Sequence, residues 1–211
     1  MYQPPHFRED RLEVMHDLIK ANPFATLVST QAGSLAADHI PLNLHPELSA
    51  NGTLRGHIAK ANPLWKKTDA PFEVLVIFQG PHAYITPSWY PSKQEHGRVV
   101  PTWNYVTVHA YGTIVFHDDK AWLSDHVAAL TFRNENHRAE PWRVSDAPDD
   151  FLAGQMKGIV GIEIVISRLE GKWKVSQNRK EQDRLGAKRG LLNEPGEDAV
   201  AISDLIRGAE T

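Results

Sequence analysis

The stretch that decides the fold is VVPTWNYVTVHAYG, residues 99–112. Side chains along a strand alternate between two faces. Val100, Thr102, Asn104, Val106, Val108 and Ala110 therefore share one face, and Pro101, Trp103, Tyr105, Thr107, His109 and Tyr111 share the other. The first face is small and β-branched and suits packing inward. The second is a row of rings with polar tips, open to three readings: core, interface or binding wall.

Working outward, apolar periodicity and turn signals predict strands over 73–79 and 82–87 before this stretch, with 99–117 as one long strand. The segment between them, SWYPSKQEHG, reads as a polar loop closed by Gly97. Nearer the N-terminus a helix is predicted over 9–21, stopped by Asn22-Pro23, followed by strands over 24–30, 35–44 and 53–58. Turns are expected at 31–34 and at Ser49-Ala50-Asn51-Gly52, whose Asn-Gly pair favours a tight hairpin. A short helix over 59–68 is expected to be interrupted at Asn62-Pro63. Beyond 117 the pattern turns helical over 120–134, and a second helix is begun by Ser145-Asp146-Ala147-Pro148. Strands over 159–168 and 172–176 are expected to pair across Glu170-Gly171, with a charged, helical remainder from Gln177. About seven antiparallel strands with helices at the ends and in one excursion define an α+β barrel or sandwich.

Composition removes several classes of function. The 211 residues are 41% hydrophobic and 23% charged, enough for an ordinary core, and the net charge of -3 pulls the chain toward neither nucleic acid nor anionic lipid. Without cysteine there is no disulfide, thiolate site or Cys nucleophile, which fits a reducing compartment. The opening MYQPPHFRED has no basic region followed by an apolar core, so no signal peptide is expected. The apolar run 74–78 is far short of the ~18 residues of a membrane span. A cytoplasmic protein with no membrane partner is expected.

The 11 histidines form no HExxH and no i, i+2 pair; His39, His57, His82 and His109 stand singly on separate predicted strands, so no metal site is expected. GxSxG, GxGxxG and GxxxxGK[ST] are absent too, and no catalytic residue is assigned. Residues 55–66, RGHIAKANPLWK, run from a strand into a predicted helix with Arg55, His57 and Lys60 close by. Such a helix N-terminus suits a phosphate, and a solvated strand–helix joint is the equal alternative. Residues 172–190, KWKVSQNRKEQDRLGAKRG, carry from Lys174 onward six cations against two acids, or +4. This run reads either as a DNA-facing surface or as the solvated face of a helix. Within it Ser176-Gln177-Asn178-Arg179 offers donors to a flat heteroaromatic ligand or a phosphate. Tyr84, Trp89, Tyr90, Trp103, Tyr105 and Tyr111 bring rings toward Ser88, Lys93, Thr102, Asn104 and His109, a mixture that suits a planar, hydrogen-bonding ligand.

Taken together, MYQPPHFRE, GHIAKANPLW, VLVIFQGPHAYITPSWY, VVPTWNYVTVHAYG and WKVSQNRKEQDRLG resemble the PaiB family, whose members are FMN-binding proteins named as negative transcriptional regulators of protease synthesis and sporulation. The matches run from residue 1 to about 192 in order. The resemblance implies an antiparallel split β-barrel of the FMN-binding, pyridoxamine-oxidase-like kind with peripheral helices, over 1–192, followed by a helical tail over 193–211. It implies a homodimer with FMN in clefts at the subunit interface. The phosphate end would lie near Arg55, His57, Lys60 and Asn62, and Thr102, Trp103 and Asn104 would border the flavin, with Gln177, Asn178 and Arg179 reaching it. If the chain contacts DNA, residues 174–190 are the expected surface. Two further readings are an FMN-dependent oxidoreductase acting on a small planar substrate, with His109 and Tyr105 as proton donors, and a haem-binding split barrel.

Overall fold

A computed structural model describes residues 1–31, 33–66 and 71–207. In chain order the elements are β1 (Arg8–Glu9), α1 (Leu12–Ala21), β2 (Phe24–Gln31), β3 (Ser34–Pro41), β4 (Asn43–His45), β5 (Thr53–Ala59) and β6 (Phe72–Ile85). They continue with α2 (Ser92–His96), β7 (Thr102–His117), α3 (Lys120–Glu135), α4 (Asp149–Lys157), β8 (Ile159–Lys174), α5 (Glu181–Leu191) and α6 (Glu197–Leu205). The strands make one antiparallel sheet in the order β3-β2-β6-β7-β8-β5-β4, with β1 paired to β8. Two compact units divide the described chain: residues 1–18, 78–109 and 170–207 form the first, and residues 19–77 and 110–169 the second.

Several boundaries differ from the sequence pattern for identifiable reasons. The N-terminal helix starts at Leu12, because Arg8 and Glu9 are extended and pair with Lys172 and Gly171. The strand expected over 35–44 breaks at Leu42, whose N–H turns to the carbonyl of Pro23 at 2.8 Å. The helix expected over 59–68 is a single 3-10 turn, Pro63–Lys66, entered through Asn62 Oδ1 accepting from the Leu64 N–H at 2.8 Å. Its last expected positions, 67 and 68, and position 32 of the expected 31–34 turn, lie outside the described residues. The loop expected between 88 and 97 contains a 3-10 turn, Pro87–Trp89, and α2, which Gly97 ends at φ 66°.

Two expected strand pairs are instead single long strands. Gly80-Pro81 lies inside β6 and is not a turn: a Cβ at Gly80 would stand 2.6 Å from Val106 Cγ2 and 2.7 Å from Leu18 Cδ1. Glycine there permits close packing. Glu170-Gly171 likewise lies inside β8, where the absent Cβ would meet the Glu9 carbonyl at 2.8 Å.

In the first unit, Ala83, Ile85 and Val106 from the sheet bury against Tyr90, Val175, and Ala187 and Leu191 of α5. Ala199, Ile202 and Ile206, in and just after α6, complete the same cluster. α5 approaches residue 89 through glycine: a Cβ at Gly186 would lie 2.0 Å from the Trp89 carbonyl oxygen. In the second unit Leu54, Ile58, Val76, Ile114, Leu123, Val160, Ile162 and Ile164 are buried.

Gly186→Ala is expected to cost about 1–3 kcal/mol through this backbone overlap. Gly154→Ala, in α4 with no atom within 4 Å of the new methyl, should gain about 0.5–1 kcal/mol. Urea unfolding midpoints of the two variants check both signs.

Candidate cofactor site

In the first unit β7 keeps the alternation of its sequence. Asn104, Val106 and Val108 are buried, while Trp103 is 53% exposed and turns its ring toward His82 and Tyr84. The strand is regular enough that Trp103 and Asn104 serve opposite faces. Asn104 Nδ2 donates to Ser176 Oγ at 2.9 Å, and both residues are buried. Ser176 has φ 68°, a left-handed conformation costing a serine on the order of 1–3 kcal/mol. It persists because the turn is held from several sides. The Arg179 N–H donates to the Ser176 carbonyl at 2.9 Å, and Gln177 Oε1 accepts from the Val175 N–H at 2.8 Å. Gln177 Nε2 in turn donates to the Trp173 carbonyl.

The ammonium of Lys174 donates to Thr102 Oγ1 and to the Trp103 carbonyl, so the first residues of β7 position the last residue of β8. Lys172 is buried beside it, donating to the Tyr2 carbonyl at 3.0 Å, and the Tyr105 ring lies 5.3 Å from the Lys172 ammonium and 6.0 Å from that of Lys174. The Arg179 guanidinium lies over Tyr90 at 5.2 Å. None of these three cations pairs with a carboxylate among the described residues. Burial pulls the Lys174 ammonium below its ordinary pKa, and the charges of Lys172 and Arg179 add to the shift. Burial raises the Tyr90 phenol, and the Arg179 guanidinium beside it opposes that shift. An uncompensated positive field beside a tyrosine ring and a row of polar donors fits an anionic, planar ligand such as FMN. The sequence pattern points to Ser176 only as one donor of the Ser176-Gln177-Asn178-Arg179 run and to Lys174 only as part of a basic run, and it gives no signal for Lys172.

Asn178 is exposed on the same turn. Of the aromatic face, Tyr105 joins the cations while His109 is half-buried, with Nδ1 lacking a partner. Burial lowers the His109 pKa and the N-terminal charge adds to this, so the ring is neutral at neutral pH and poorly suited to donate a proton. The basic run 174–190 is only partly a solvent face. Asp183 is buried and accepts from the Ser92 N–H at 3.1 Å, whereas Lys180 and Arg189 are exposed.

The remaining four expected residues lie in the second unit, each with its own partner. Arg55 Nε meets Glu163 Oε2 at 2.7 Å, Lys60 pairs with Asp118, and Asn62 Nδ2 donates to Asp38 Oδ1 at 2.8 Å. His57 Nδ1 and His126 Nε2 are 3.1 Å apart. Trp122 stacks on His117 at 4.5 Å and on His126 at 5.3 Å, with the Arg55 guanidinium 5.6 Å from the indole. Burial, then the charges of His57, His45 and Arg55, hold the His126 pKa at about 4; burial also lowers that of His57.

The antiparallel sheet with its flanking helices is a split-barrel fold of the kind found in flavin-binding proteins. The chain belongs to the family described as "Putative FMN-binding domain", which matches residues 1–168 and whose description names the cofactor expected from the sequence. It is 34% identical over 206 residues, 98% of this chain and 96% of the relative, to the protease synthase and sporulation protein PAI 2 of Bacillus subtilis (strain 168). Among solved structures, the FAD and heme binding protein from Mycobacterium smegmatis superposes with a TM-score of 0.59 at 15% identity, covering 79% of this chain and 73% of that one. The flavocytochrome Anf3 from Azotobacter vinelandii gives 0.57 at 10% identity, covering 79% and 69%. Identities this low speak for the shared fold alone.

His126 has a folded-state pKa of about 4 against an ordinary 6.5, so between those values the unfolded chain binds more protons and stability rises with pH, being lost as the solution is acidified from 6.5 toward 4. His126→Leu should flatten this part of the stability profile, measured as the urea midpoint across that interval.

Proposed function

We propose that this chain is a PaiB-type flavoprotein that holds FMN in the first unit, at Lys172, Lys174, Arg179, Tyr105 and the turn at 176–179. The observation that carries the reading is the set of three cations with no carboxylate partner among the described residues. Lys174 offers its charge to the ligand while Thr102 and the Trp103 carbonyl fix its direction. Asn104 acts one step away by holding Ser176 in its left-handed conformation, which in turn presents Gln177, Asn178 and Arg179. A phosphate at Arg55, His57, Lys60 and Asn62 would have to displace Glu163, Asp118 and Asp38, so the proposal rests on the Lys174 set. Bound FMN supplies electron-transfer chemistry that no side chain of this chain provides.

The regulatory role is supported by likeness to the Bacillus subtilis protein, whose name links it to protease synthesis and sporulation. In this reading the chain works in the cytoplasm as a homodimer and as a negative regulator of transcription. Contact with duplex DNA would fall on the exposed cations of 174–190, Lys180 and Arg189, doubled by the dimer. No helix among the described residues is long and apolar enough to cross a membrane.

Protein incubated with FMN and passed through gel filtration is expected to keep a flavin absorbance band; a colourless eluate would sink the proposal. Lys174→Met should weaken FMN affinity by about 10- to 100-fold, the worth of one charge-assisted hydrogen bond. Lys93→Met, removing an exposed lysine bonded to Ser88, should leave it unchanged. For the regulator reading, duplex DNA binding should fall linearly with the logarithm of salt concentration, and loss of both Lys180 and Arg189 should reduce that slope.

A further inference from the structure

Beside Trp103, the first unit contains a cavity of about 420 Å³. Its walls include the rings of Tyr84, Trp89 and Trp103, and its rim carries Glu194 and Asp198. The Trp103 and Tyr84 rings are 5.9 Å apart at 68°, two faces of a corner, and His82 lies 6.1 Å from Trp103 at 33°. Trp103 is 53% exposed and Tyr84 48%, so both rings present uncovered surface. Trp89 is clamped from behind: a Cβ at Gly190 would lie 2.2 Å from Trp89 Cδ2, so α5 backs directly onto the indole.

The charge of this cavity is the reverse of the lysine cluster. Among the described residues no lysine or arginine lines it. Asp198 Oδ2 is held by His82 Nδ1 at 3.2 Å, while the Glu194 carboxylate has no ion pair or hydrogen bond among the described residues. Ring faces carry negative charge density, and an aromatic corner backed by carboxylates attracts a cation with apolar substituents. A phosphate or a carboxylate would be repelled by the same two acids. We infer that this cavity binds a small organic cation, a quaternary ammonium or protonated amine, lodged between Trp103 and Tyr84 with Glu194 and Asp198 as counter-charges. The aromatic corner selects the alkylated ammonium head, and the free Glu194 carboxylate sets the sign of the charge. This site uses none of the side chains at which FMN is proposed to bind, Trp103 entering that proposal only through its carbonyl, so it stands or falls separately.

The test uses choline as the probe and its uncharged isostere, 3,3-dimethylbutan-1-ol, as the comparison, followed by ligand-detected NMR and tryptophan fluorescence on the full chain. Saturable choline binding is expected, at least about tenfold tighter than the isostere, the discrimination that a desolvated cation–π contact supplies. Trp103→Ala and Glu194→Gln should each weaken it about tenfold or more. Trp103→Phe, which keeps a ring, should lose less. Circular dichroism of each variant confirms the fold, and Glu194→Gln should retain FMN like the parent chain. Equal affinity for the two probes, no saturable choline binding, or unchanged binding in both Trp103→Ala and Glu194→Gln would each overturn the proposal.

Discussion

The buried hydrogen bond from Asn104 to Ser176 is the constraint on which the organisation of the first unit depends. An amide buried in a sheet must be paired or it costs about 1–3 kcal/mol. Its partner here is a serine at φ 68°. The bond therefore fixes where β8 ends and how the chain turns toward α5. From that turn follow the direction of Arg179, the support of Lys174 by Thr102 and the Trp103 carbonyl, and the approach of α5 to Trp89 through Gly186 and Gly190.

β7 also separates charge. Its inward side chains lead to a turn flanked by Lys172, Lys174 and Arg179, while Trp103, one residue away, belongs to an aromatic cavity edged by Glu194 and Asp198. Tyr105, two residues further along the same face as Trp103, meets Lys172 and Lys174, so the two sets of groups follow one another along the strand. The second unit handles its ionisable groups differently. There Arg55 and Lys60 are matched by carboxylates, and His57 and His126 are kept neutral by burial beside one another and the Trp122 ring.

Some of this was legible in advance because it is local. The two faces of β7, the strand pattern on either side of it and the helices after 117 follow from period and from turn chemistry. Gly80-Pro81 and Glu170-Gly171 were misread because a glycine that permits a turn and a glycine that permits close packing look alike in sequence. Only the neighbours, Val106 and Leu18 in one case and Glu9 in the other, tell them apart. The helix expected after Ile58 failed because Asn62 satisfied the backbone as a turn and the helix did not propagate.

The candidate site divides along the same line. By itself the sequence determined the antiparallel strand pattern and the residue types that could meet a flavin, because these rest on spacing and local pattern, and the family followed from the resemblance of its ordered stretches. Only the tertiary structure decided which cations keep an unneutralised charge. Arg55 and Lys60 are cancelled by acids far away in the chain, while Lys172, Lys174 and Arg179 find none among the described residues. Charge compensation is a property of distances between residues remote in sequence, and those distances exist only once the chain has folded.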